Sequence, residues 1–423
     1  MMYINRGINL KLLLPILLII STIFSHIFFF PKIGYKFQPT EIVFIVLSLF
    51  FVFKYHLKIR FNLLTIDKSF IFLSLIMILS QLIYFEKIVF LKLIEYLYLI
   101  ALYFLLSGSL RALEYKELKK VLKLSADIGF WILIGIGILG FVLYYFFDSG
   151  KFVLIYRDYP YFGDVFRIKG FSYSPNLYIS LISFFTILKL AYSRLQYSHI
   201  VLVFILSIVS MTKEALLLIA VLFAIIFYKN NFPFKINLIP VLFAGILYVF
   251  LSYFIISFDN KESKVQSKEA VFKTEKFSVY PTTYFEVIKS GVLMTLDKPL
   301  FGVGLGNFRK ELKEYQREGK YPKYFQTYDA LDSYSGLVSQ LGILYLFFLF
   351  AIFVITYGMV IKLPYQLKYP FILFFTYMLF ESMALGTYHF RHYYIYIAIF
   401  SVIAFKKDTL LVSTHPCGIE SLS

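Results

Sequence analysis

Long apolar segments, separated by short polar gaps, follow one another along most of this sequence. Windows of about 15–25 mostly apolar residues are long enough to cross a bilayer as helices. Roughly twelve such windows occur, at 11–30, 40–56, 69–85, 88–107, 122–147, 175–193, 197–211, 213–229, 237–257, 335–361, 366–386 and 391–405. Because backbone polar groups cannot stay unpaired in lipid, the pattern predicts an all-α polytopic membrane protein with about twelve transmembrane helices.

The first apolar segment shares features with a cleavable signal peptide, since Arg6 and Lys11 precede its apolar core. Its exit reads SHIFFFPK, which lacks the small residues of a cleavage site. An uncleaved first span is therefore expected.

The charge of the polar gaps predicts the orientation. With the N-terminus in the cytoplasm, the even-numbered gaps read KYHLKIR, RALEYKELKKVLK, KLAYSR, YKNNFPFK and KLPYQLK, and the chain leaves the last span through FKKD. Cytoplasmic loops carry the excess of Lys and Arg, so both termini are expected in the cytoplasm. The predicted organisation is transmembrane helices 1–5 in residues 1–147, a first external loop at 148–174, helices 6–9 in 175–257, a large external loop at 258–334, helices 10–12 in 335–405 and a cytoplasmic tail at 406–423.

Composition agrees with a membrane protein, because 60% of the residues are hydrophobic and 16% are charged. Soluble domains are about 45–50% apolar and about 25% charged. The formal net charge of +17 lies mainly in the gaps, so it does not indicate a nucleic-acid partner. Cys417 is the single cysteine, which excludes an intramolecular disulfide and a thiolate metal cluster. The six histidines lack HExxH-type spacing, and neither a metal nor a cofactor is expected.

The large external loop is far longer than an ordinary connection, which favours a functional role. Apolar residues recur at helical spacing and predict a helix lying along the membrane surface: Phe285, Ile288, Val292 and Leu296. A second amphipathic helix is predicted in FRKELKEYQRE, with an apolar face formed by Phe308, Leu312 and Tyr315.

Between these two predicted helices lies KPLFGVGLGNF (residues 298–308), which we call the glycine ribbon. Gly302, Gly304 and Gly306 alternate in it ahead of Asn307. A dinucleotide-binding loop would read GxGxxG after a buried strand, whereas here the third glycine comes one residue early and the loop is predicted to be external. Alternating glycines let a backbone turn tightly and approach another surface closely. The pattern predicts either a structural turn or a ligand-contacting loop.

Candidate chemistry lies at three places where polar residues adjoin a span. In FRIKGFSYSPNLYIS, Arg167 and Lys169 precede Gly170, and Ser174 with Pro175 can begin a helix. Fixed cations at headgroup level can neutralise a lipid diphosphate. Two solvated cations before a capped helix would give the same pattern.

The other two places lie at predicted helix starts. In SMTKEALLLI, the Lys213 ammonium either extends to the interface, pairs with Glu214 or binds an anion. YDALDSYSGLVSQLGI enters the tenth span with Asp329 and Asp332. Asp332 suits a helix N-cap, and a carboxylate there can also act as a general base toward a hydroxyl.

Charged residues also occur inside predicted spans. Lys92 and Glu95 are three apart and are expected to pair with each other. Glu381 has no cation on its own helix and faces the short turn YHFRHYY, so it either lines a cavity or is simply buried.

In this order, the motifs resemble those of the O-antigen polymerase and O-antigen ligase superfamily of bacterial envelope polysaccharide assembly. The resemblance covers roughly residues 120–350. It rests on RIKGFSYSPN before span six, a threonine-plus-cation turn between spans seven and eight, the glycine ribbon, and DSYSGLVSQLGI entering span ten. The ribbon is its most distinctive part.

By this resemblance, the family's arginine in RxxG falls on Arg167, and the arginine between its spans seven and eight falls on Lys213. The substitution keeps the charge but loses the bidentate fork. Ligases carry a His-Asn pair shortly before the glycine that matches Gly342. This chain has Leu331 and Asp332 there, and the aspartate favours the polymerase branch.

The resemblance implies an enzyme that joins oligosaccharide repeat units carried on undecaprenyl diphosphate, at the external face of the bacterial inner membrane. Arg167 and Lys213 are expected to hold the diphosphate, and Asp332 to act on the attacking hydroxyl. Substrate contacts are expected for Lys169, Asn176, Gly302, Gly304, Gly306, Asn307, Arg309 and Asp329. The implied partners are the lipid-linked oligosaccharide, membrane lipid and a regulator of chain length, with no nucleic acid.

Three alternatives stay open. A ligase would transfer the finished glycan, for example to lipopolysaccharide, instead of extending it. A flippase for lipid-linked sugars would carry charged or broken helices at the membrane midplane. A dolichol-type glycosyltransferase would show acidic residues in the first external gap, and PKIGYKFQPT has none.

Overall fold

The computed structural model describes residues 10–25, 38–55, 63–84, 87–147, 149–159, 163–258, 270–274, 276–315 and 332–406. This part of the chain is mostly helical. Its helices are α1 (Leu10–Ser21), α2 (Pro39–Tyr55), α3 (Thr65–Ile83), α4 (Lys87–Arg111), α5 (Tyr115–Phe147), α6 (Pro175–Tyr192), α7 (Tyr197–Ser210), α8 (Lys213–Lys229), α9 (Phe234–Tyr253), α10 (Thr283–Asp297), α11 (Phe308–Tyr315), α12 (Tyr334–Leu341), α13 (Ile343–Ile361), α14 (Tyr365–Ala384) and α15 (Arg391–Phe405).

Six of the described helices are long and apolar enough to cross a membrane: Thr65–Ile83, Phe90–Arg111, Tyr115–Phe147, Pro175–Tyr192, Phe234–Tyr253 and Ile343–Ile361. Shorter apolar helices occupy Leu10–Phe24, Pro39–Phe53, Tyr197–Ser210 and Arg391–Phe405. Helices α8 and α14 fall in neither group, and each carries a buried glutamate, Glu214 and Glu381. The chain therefore has the character of a helical membrane protein, and the count of twelve spans stays a prediction.

Helix α6 is the most enclosed of the six long apolar helices, because 83% of its apolar window is buried inside the protein. It packs against α5, α8 and α14. Glycines of α5 allow close approach, since Gly129 lies against the Phe185 ring and Gly137 against the Tyr178 hydroxyl. Tyr178 in turn donates a hydrogen bond of 2.9 Å to the Leu133 carbonyl of α5. These contacts hold the start of α6, where site residues are predicted, in a fixed position.

Polar contacts join three helix ends that the sequence assigns to the cytoplasm. Lys11 Nζ, in α1, lies 3.1 Å from the Glu117 carboxylate at the start of α5. The Lys406 ammonium, just after α15, donates to the Leu113 carbonyl between α4 and α5. The basic gaps at these positions therefore lie at one end of the helices. The predicted tail beyond residue 406, Cys417 included, lies outside the described residues.

Both predicted external loops contain strands, so the all-α prediction is wrong for the loops and holds for the helical body. The first loop forms an antiparallel hairpin of β1 (Val153–Tyr159) and β2 (Gly163–Ile168). The second contains a sheet in the order β3–β5–β4, formed by β3 (Phe254–Phe258), β4 (Phe272–Lys273) and β5 (Phe277–Pro281). Strand β3 follows α9 directly, so the ninth span ends before the predicted 257. Aromatic and β-branched residues in VLIYRDY and FIISF favour extended backbone.

Helices α10 and α11 form where amphipathic helices are predicted, and the glycine ribbon connects them. They enclose a small second core made of Val287, Met294, Val303, Phe308 and Leu312. On the predicted membrane face of α10, Val292 and Leu296 remain 47% and 70% exposed. An apolar face left uncovered by protein is what a helix lying on a membrane requires.

The predicted tenth span, 335–361, is two helices rather than one. Helix α12 ends at Leu341 and α13 begins at Ile343. Gly342 between them has φ 71° and ψ −164°, which a continuous helix cannot contain. A Cβ atom at Gly342 would lie 2.2 Å from the Leu300 carbonyl oxygen, so the ribbon passes directly over this break. The apolar pattern continues through the break, which explains the predicted single span.

Candidate functional site

The β1–β2 hairpin positions Arg167. Arg167 pairs with Leu154 across the hairpin, and its side chain is partly buried. After the strand, the N–H groups of Lys169 and Gly170 both donate to the Phe152 carbonyl, at 3.0 and 3.1 Å. Gly170 has φ +56°, which lets the chain turn sharply toward α6.

The predicted start of α6 is confirmed. The Ser174 hydroxyl accepts a hydrogen bond of 3.2 Å from the Leu177 N–H, and Pro175 is the first helical residue. Asn176 follows in the first turn and lines a polar cavity described below.

The turn between α7 and α8 positions Lys213 as the first residue of α8. Met211 adopts the left-handed conformation, and the Thr212 hydroxyl accepts a 3.3 Å hydrogen bond from the Ala215 N–H. The Lys213 ammonium lies 5.5 Å from the centre of the Tyr284 ring, a favourable cation–π distance. Tyr284 belongs to α10, so the large external loop contacts the cation directly.

The structure brings Arg167 and Lys213 into one electrostatic group. The Arg167 guanidinium lies within electrostatic range of Lys213 and of the Glu214 carboxylate. Glu214 is 3% exposed and accepts a hydrogen bond of 3.2 Å from the Tyr248 hydroxyl, while Lys213 itself is exposed. Two cations therefore lie near the start of α8, where they can attract an anion.

Asp332 is buried two residues before α12, whose N-cap is Ser333, so the predicted N-cap position is wrong by one residue. Asp332 nevertheless bonds the first turn of the helix. Its carboxylate oxygens accept hydrogen bonds of 2.6 Å from the N–H and from the hydroxyl of Ser335. Burial raises the pKa of Asp332 above that of an exposed aspartate, although the hydrogen bonds from Ser335 act the other way. A buried carboxylate with a raised pKa is a stronger base than an exposed one. Asp329 and Leu331 lie outside the described residues.

Arg167, Lys213 and Glu214 together are called the cation group below. The end of α9 lies near Asp332 and near the loop that contacts this group. Asp332 acts electrostatically on Tyr253, the last residue of α9. The Thr282 hydroxyl, which caps α10, donates a 2.6 Å hydrogen bond to the Ser252 carbonyl, and Tyr284 follows two residues later. The end of α9 therefore lies near Asp332 and also holds the start of α10, which carries Tyr284.

An apolar cleft begins beside Asp332. It has a volume of about 430 Å³, and its wall includes Phe70, Met77, Tyr334, Phe348, Phe353 and Tyr394. Hydroxyls of Ser333, Ser382 and Thr387 lie at its polar end, where they hydrogen-bond with one another at 2.9 and 2.6 Å. The cleft suits a hydrocarbon chain whose polar head remains near Asp332.

A second, polar cavity of about 450 Å³ lies at the start of α6, and we call it the outer cavity. Its wall includes Ser25, Gln38, Lys92, Asn176, Phe390 and His392. The predicted ion pair of Lys92 and Glu95 is confirmed, with a separation of 3.1 Å. Of the predicted site residues that the structure describes, Asn176 lines this cavity.

The backbone of the glycine ribbon is hydrogen-bonded to α12 and to neighbouring residues. Every N–H from Gly302 to Asn307 donates to a protein acceptor: the carbonyls of Lys298, Ser339, Gln340 and Gly304, the Ser80 hydroxyl and the Gln340 side chain. Gly302, Gly304 and Gly306 all have φ between 63° and 94°. The geometry favours the structural interpretation of these glycines, and their contact with substrate stays a prediction.

Two other predicted contact residues have a different setting. Arg309 is exposed on α11, and Lys169 is partly buried after β2. Among the described contacts, neither side chain joins the groups above. Their contact with substrate stays a prediction.

A buried polar network around Glu381 is absent from the sequence predictions. Glu381 is fully buried and accepts hydrogen bonds from Ser180 at 2.8 Å, from Tyr377 at 3.2 Å and from Tyr393. Ser180 also bonds His392 Nε2 at 2.8 Å. In the sequence, the histidines and tyrosines of YHFRHYY are the signal for such a network, because polar aromatic side chains need hydrogen-bond partners when they are buried.

No three His, Cys, Asp or Glu side chains within the described residues converge as a metal site would need. Compared with known proteins, the chain matches no family model and no curated sequence.

Proposed function

We propose that this protein is a membrane polysaccharide polymerase, which joins oligosaccharide repeat units carried on undecaprenyl diphosphate at the external face of the bacterial inner membrane. The observation that carries the proposal is the meeting of Arg167 and Lys213. One comes from a hairpin before α6 and the other from the turn before α8. Two cations from separate elements, within electrostatic range of each other, form a group that can bind the two phosphates of a lipid diphosphate.

The proposed reaction is a displacement at an anomeric carbon. A hydroxyl oxygen of the acceptor unit attacks the anomeric carbon of the donor glycan, and the carbon–oxygen bond to the diphosphate breaks with its electron pair leaving on the phosphate oxygen. Arg167 and Lys213 stabilise the negative charge that develops on this leaving group. The hydroxyl proton passes to the Asp332 carboxylate.

The apolar cleft supports a lipid-linked substrate. It lies beside Asp332 and has hydroxyl groups at one end and aromatic and aliphatic side chains along the rest. A polyprenyl chain in this cleft would keep its polar head at the level of Asp332.

A flippase for the same lipid-linked sugars is the second candidate function. Glu214 and Glu381 are buried carboxylates within α8 and α14, and each lies in electrostatic range of the other. Intramembrane carboxylates are common in transporters. A ligase shares the proposed donor chemistry and differs in its acceptor.

The surface polysaccharide of a strain that lacks the protein separates these functions. Under the proposed function, gel electrophoresis should show single repeat units attached to the final acceptor. Long chains that remain unattached would instead indicate a ligase, and complete absence of surface glycan would indicate a flippase. Complementation with the wild-type chain should restore long attached chains.

A further inference from the structure

The outer cavity is separate from the cation group, and its wall is made of helix ends. It is enclosed by the end of α1, the starts of α2, α4 and α6, and the turn between α14 and α15. The basic gaps assign every one of these ends to the external side. A cavity of about 450 Å³ in this position falls within the range of small-molecule sites.

The charged side chains of the outer cavity are already paired. Lys92 lies 3.1 Å from Glu95, and the Arg391 guanidinium lies 2.7 Å from the Glu41 carboxylate. Each of these two cations thus has its own carboxylate. A phosphate ligand would need unbalanced positive charge, so the outer cavity is better suited to a neutral ligand.

Neutral hydrogen-bonding groups fill the rest of the wall. Asn176 and Gln38 contribute amides, and Ser25 contributes a hydroxyl. Within the described part of the chain, Ser25 Oγ and Gln38 Oε1 are buried and have no hydrogen-bond partner. Such atoms are costly to bury, which favours a ligand that shifts the wall slightly, reaches them and supplies the missing bonds. Tyr173 and Phe390 add aromatic rings on which the apolar face of a sugar can stack.

The inner wall of the outer cavity is held in one arrangement. Ser180 donates its hydroxyl proton to Glu381, so the Ser180 oxygen accepts the proton of His392 Nε2. A ring fixed in this way by buried partners is preorganised for binding.

We infer that the outer cavity binds the uncharged sugar rings of the acceptor repeat unit, while Arg167 and Lys213 hold the diphosphate of the donor. The inference rests on the proposed polymerase function and assigns the cavity to one half of its substrate pair. Amides, hydroxyls and aromatic rings recognise neutral saccharide, and the paired charges disfavour the diphosphate.

The test measures binding of free saccharide to the purified full-length chain in detergent micelles. The probe is the host's repeat-unit oligosaccharide, released from its lipid diphosphate by mild acid. Ser25→Ala and Gln38→Leu each remove an oxygen that has no hydrogen-bond partner among the described residues. Ser48→Ala on α2 is the matched control, because the Ser48 hydroxyl donates to the Phe44 carbonyl. Each of the first two variants should raise Kd about tenfold and leave Tm unchanged, while the control binds like wild type.

Two results would overturn the inference: a wild-type chain that does not bind the oligosaccharide, or Ser25→Ala and Gln38→Leu variants that bind it normally. Loss of binding together with a lowered Tm would indicate a structural role and count against it as well. Inorganic diphosphate should not compete with the saccharide, and full competition would contradict the inference.

Failure of the proposed function has a separate signature. If a strain lacking the protein still makes long attached chains, the polymerase proposal fails whatever the saccharide binding shows. If chains shorten in that strain while the two variants bind saccharide normally, only the outer-cavity inference fails.

Discussion

The two cations of the proposed site differ in their surroundings, and this difference sets what each side chain can do. Arg167 is partly buried on a strand next to Glu214, where its planar fork can reach an anion in one orientation. Lys213 is exposed at a helix start and lies over the Tyr284 ring. An ammonium on a flexible stem acts mainly as a point charge, so geometry is less demanding there.

Charge should therefore matter at position 213 and geometry at position 167. Lys213→Arg should keep most activity, and Arg167→Lys should be clearly impaired. Lys213→Ala and Arg167→Ala should each lose about 10²- to 10³-fold, the usual cost of removing one stabilising donor from a reacting oxyanion. Polysaccharide chain length in a complemented deletion strain is the measurement, with protein level checked by immunoblot and Lys235→Ala, at an exposed position in α9, as the control. Equal activity of Arg167→Lys and wild type would contradict the assigned geometry.

Asp332 should set the acid side of the pH profile. Burial raises its pKa, and only the ionised carboxylate can accept a proton, so activity should rise with pH through that pKa. Asp332→Asn should lower the rate about 10²-fold or more and remove this acid limb. Ser335→Ala removes a hydrogen bond that lowers the pKa of Asp332, so the rise of activity with pH should move to higher pH. Initial rates in vesicles over a pH series test this prediction. If activity of Asp332→Asn still rises with pH as it does in wild type, Asp332 is not the base.

At the scale of elements, the glycine ribbon fixes the large external loop to the membrane body. Val303 and Gly304 donate hydrogen bonds of 2.8 and 3.1 Å to the end of α12, and the Tyr84 hydroxyl donates to the Gly302 carbonyl at 3.0 Å. The ribbon thus connects α3, α10 and α12. Since Asp332 lies two residues before α12, these hydrogen bonds also position the proposed base.

Gly304→Val should weaken the hydrogen bonds between the glycine ribbon and α12. Gly304 has φ +94°, and a Cβ atom there would lie 2.9 Å from Tyr84 Cβ, so valine is both strained and crowded. The left-handed conformation alone costs about 1–2 kcal/mol for a residue with a Cβ atom. The variant should show a lower Tm and a smaller amount of protein in the membrane, with activity reduced in parallel. Gly358→Ala is the control because no atom lies within 4 Å of its added methyl group, and a Gly304→Val variant of normal Tm and activity would refute the structural role.

Local patterns allowed several elements and contacts to be predicted from the sequence. Ser174 and Pro175 begin α6 as their capping chemistry indicates, Asp332 bonds the first turn of α12, and Lys92 pairs with Glu95 one helical turn away. These features depend on neighbours in the sequence, so a single chain is sufficient to predict them.

Features that depend on distant partners escaped prediction. The break at Gly342 is invisible in the apolar pattern because it is imposed by the ribbon, whose Leu300 backbone packs against it. The network around Glu381 joins α6, α14 and α15, and no spacing along the chain reveals that Ser180 and His392 meet. Strands β1 and β2 appeared as loop because a short hairpin carries a weak periodic signal.

At the scale of the whole molecule, the polar ends of the helices divide into two sets. Lys11, Glu117 and Lys406 lie together at one end, where the sequence predicts the cytoplasm. The hairpin, the glycine ribbon and the outer cavity are built from the ends assigned to the outside. This division agrees with the orientation that the basic gaps predict, with both termini in the cytoplasm.

Reporter fusions should confirm the orientation. A reporter that is active only outside the cytoplasm should work when fused near Lys264, in the large external loop, and fail when fused near Leu113, between α4 and α5. The reason is the excess of Lys and Arg in the second of these gaps. A reporter active only in the cytoplasm that works near Lys264 would reverse the topology and place the cation group on the wrong side for an external substrate.

The most direct test of the central claim is polymer formation by the Arg167→Ala, Lys213→Ala double variant. Purified protein is placed in lipid vesicles with undecaprenyl-diphosphate-linked repeat units, and product length is measured by gel electrophoresis. If the two cations stabilise the departing diphosphate, wild-type protein makes long chains, while the well-folded double variant leaves the repeat units unjoined. Long chains of normal length from the double variant would contradict the claim.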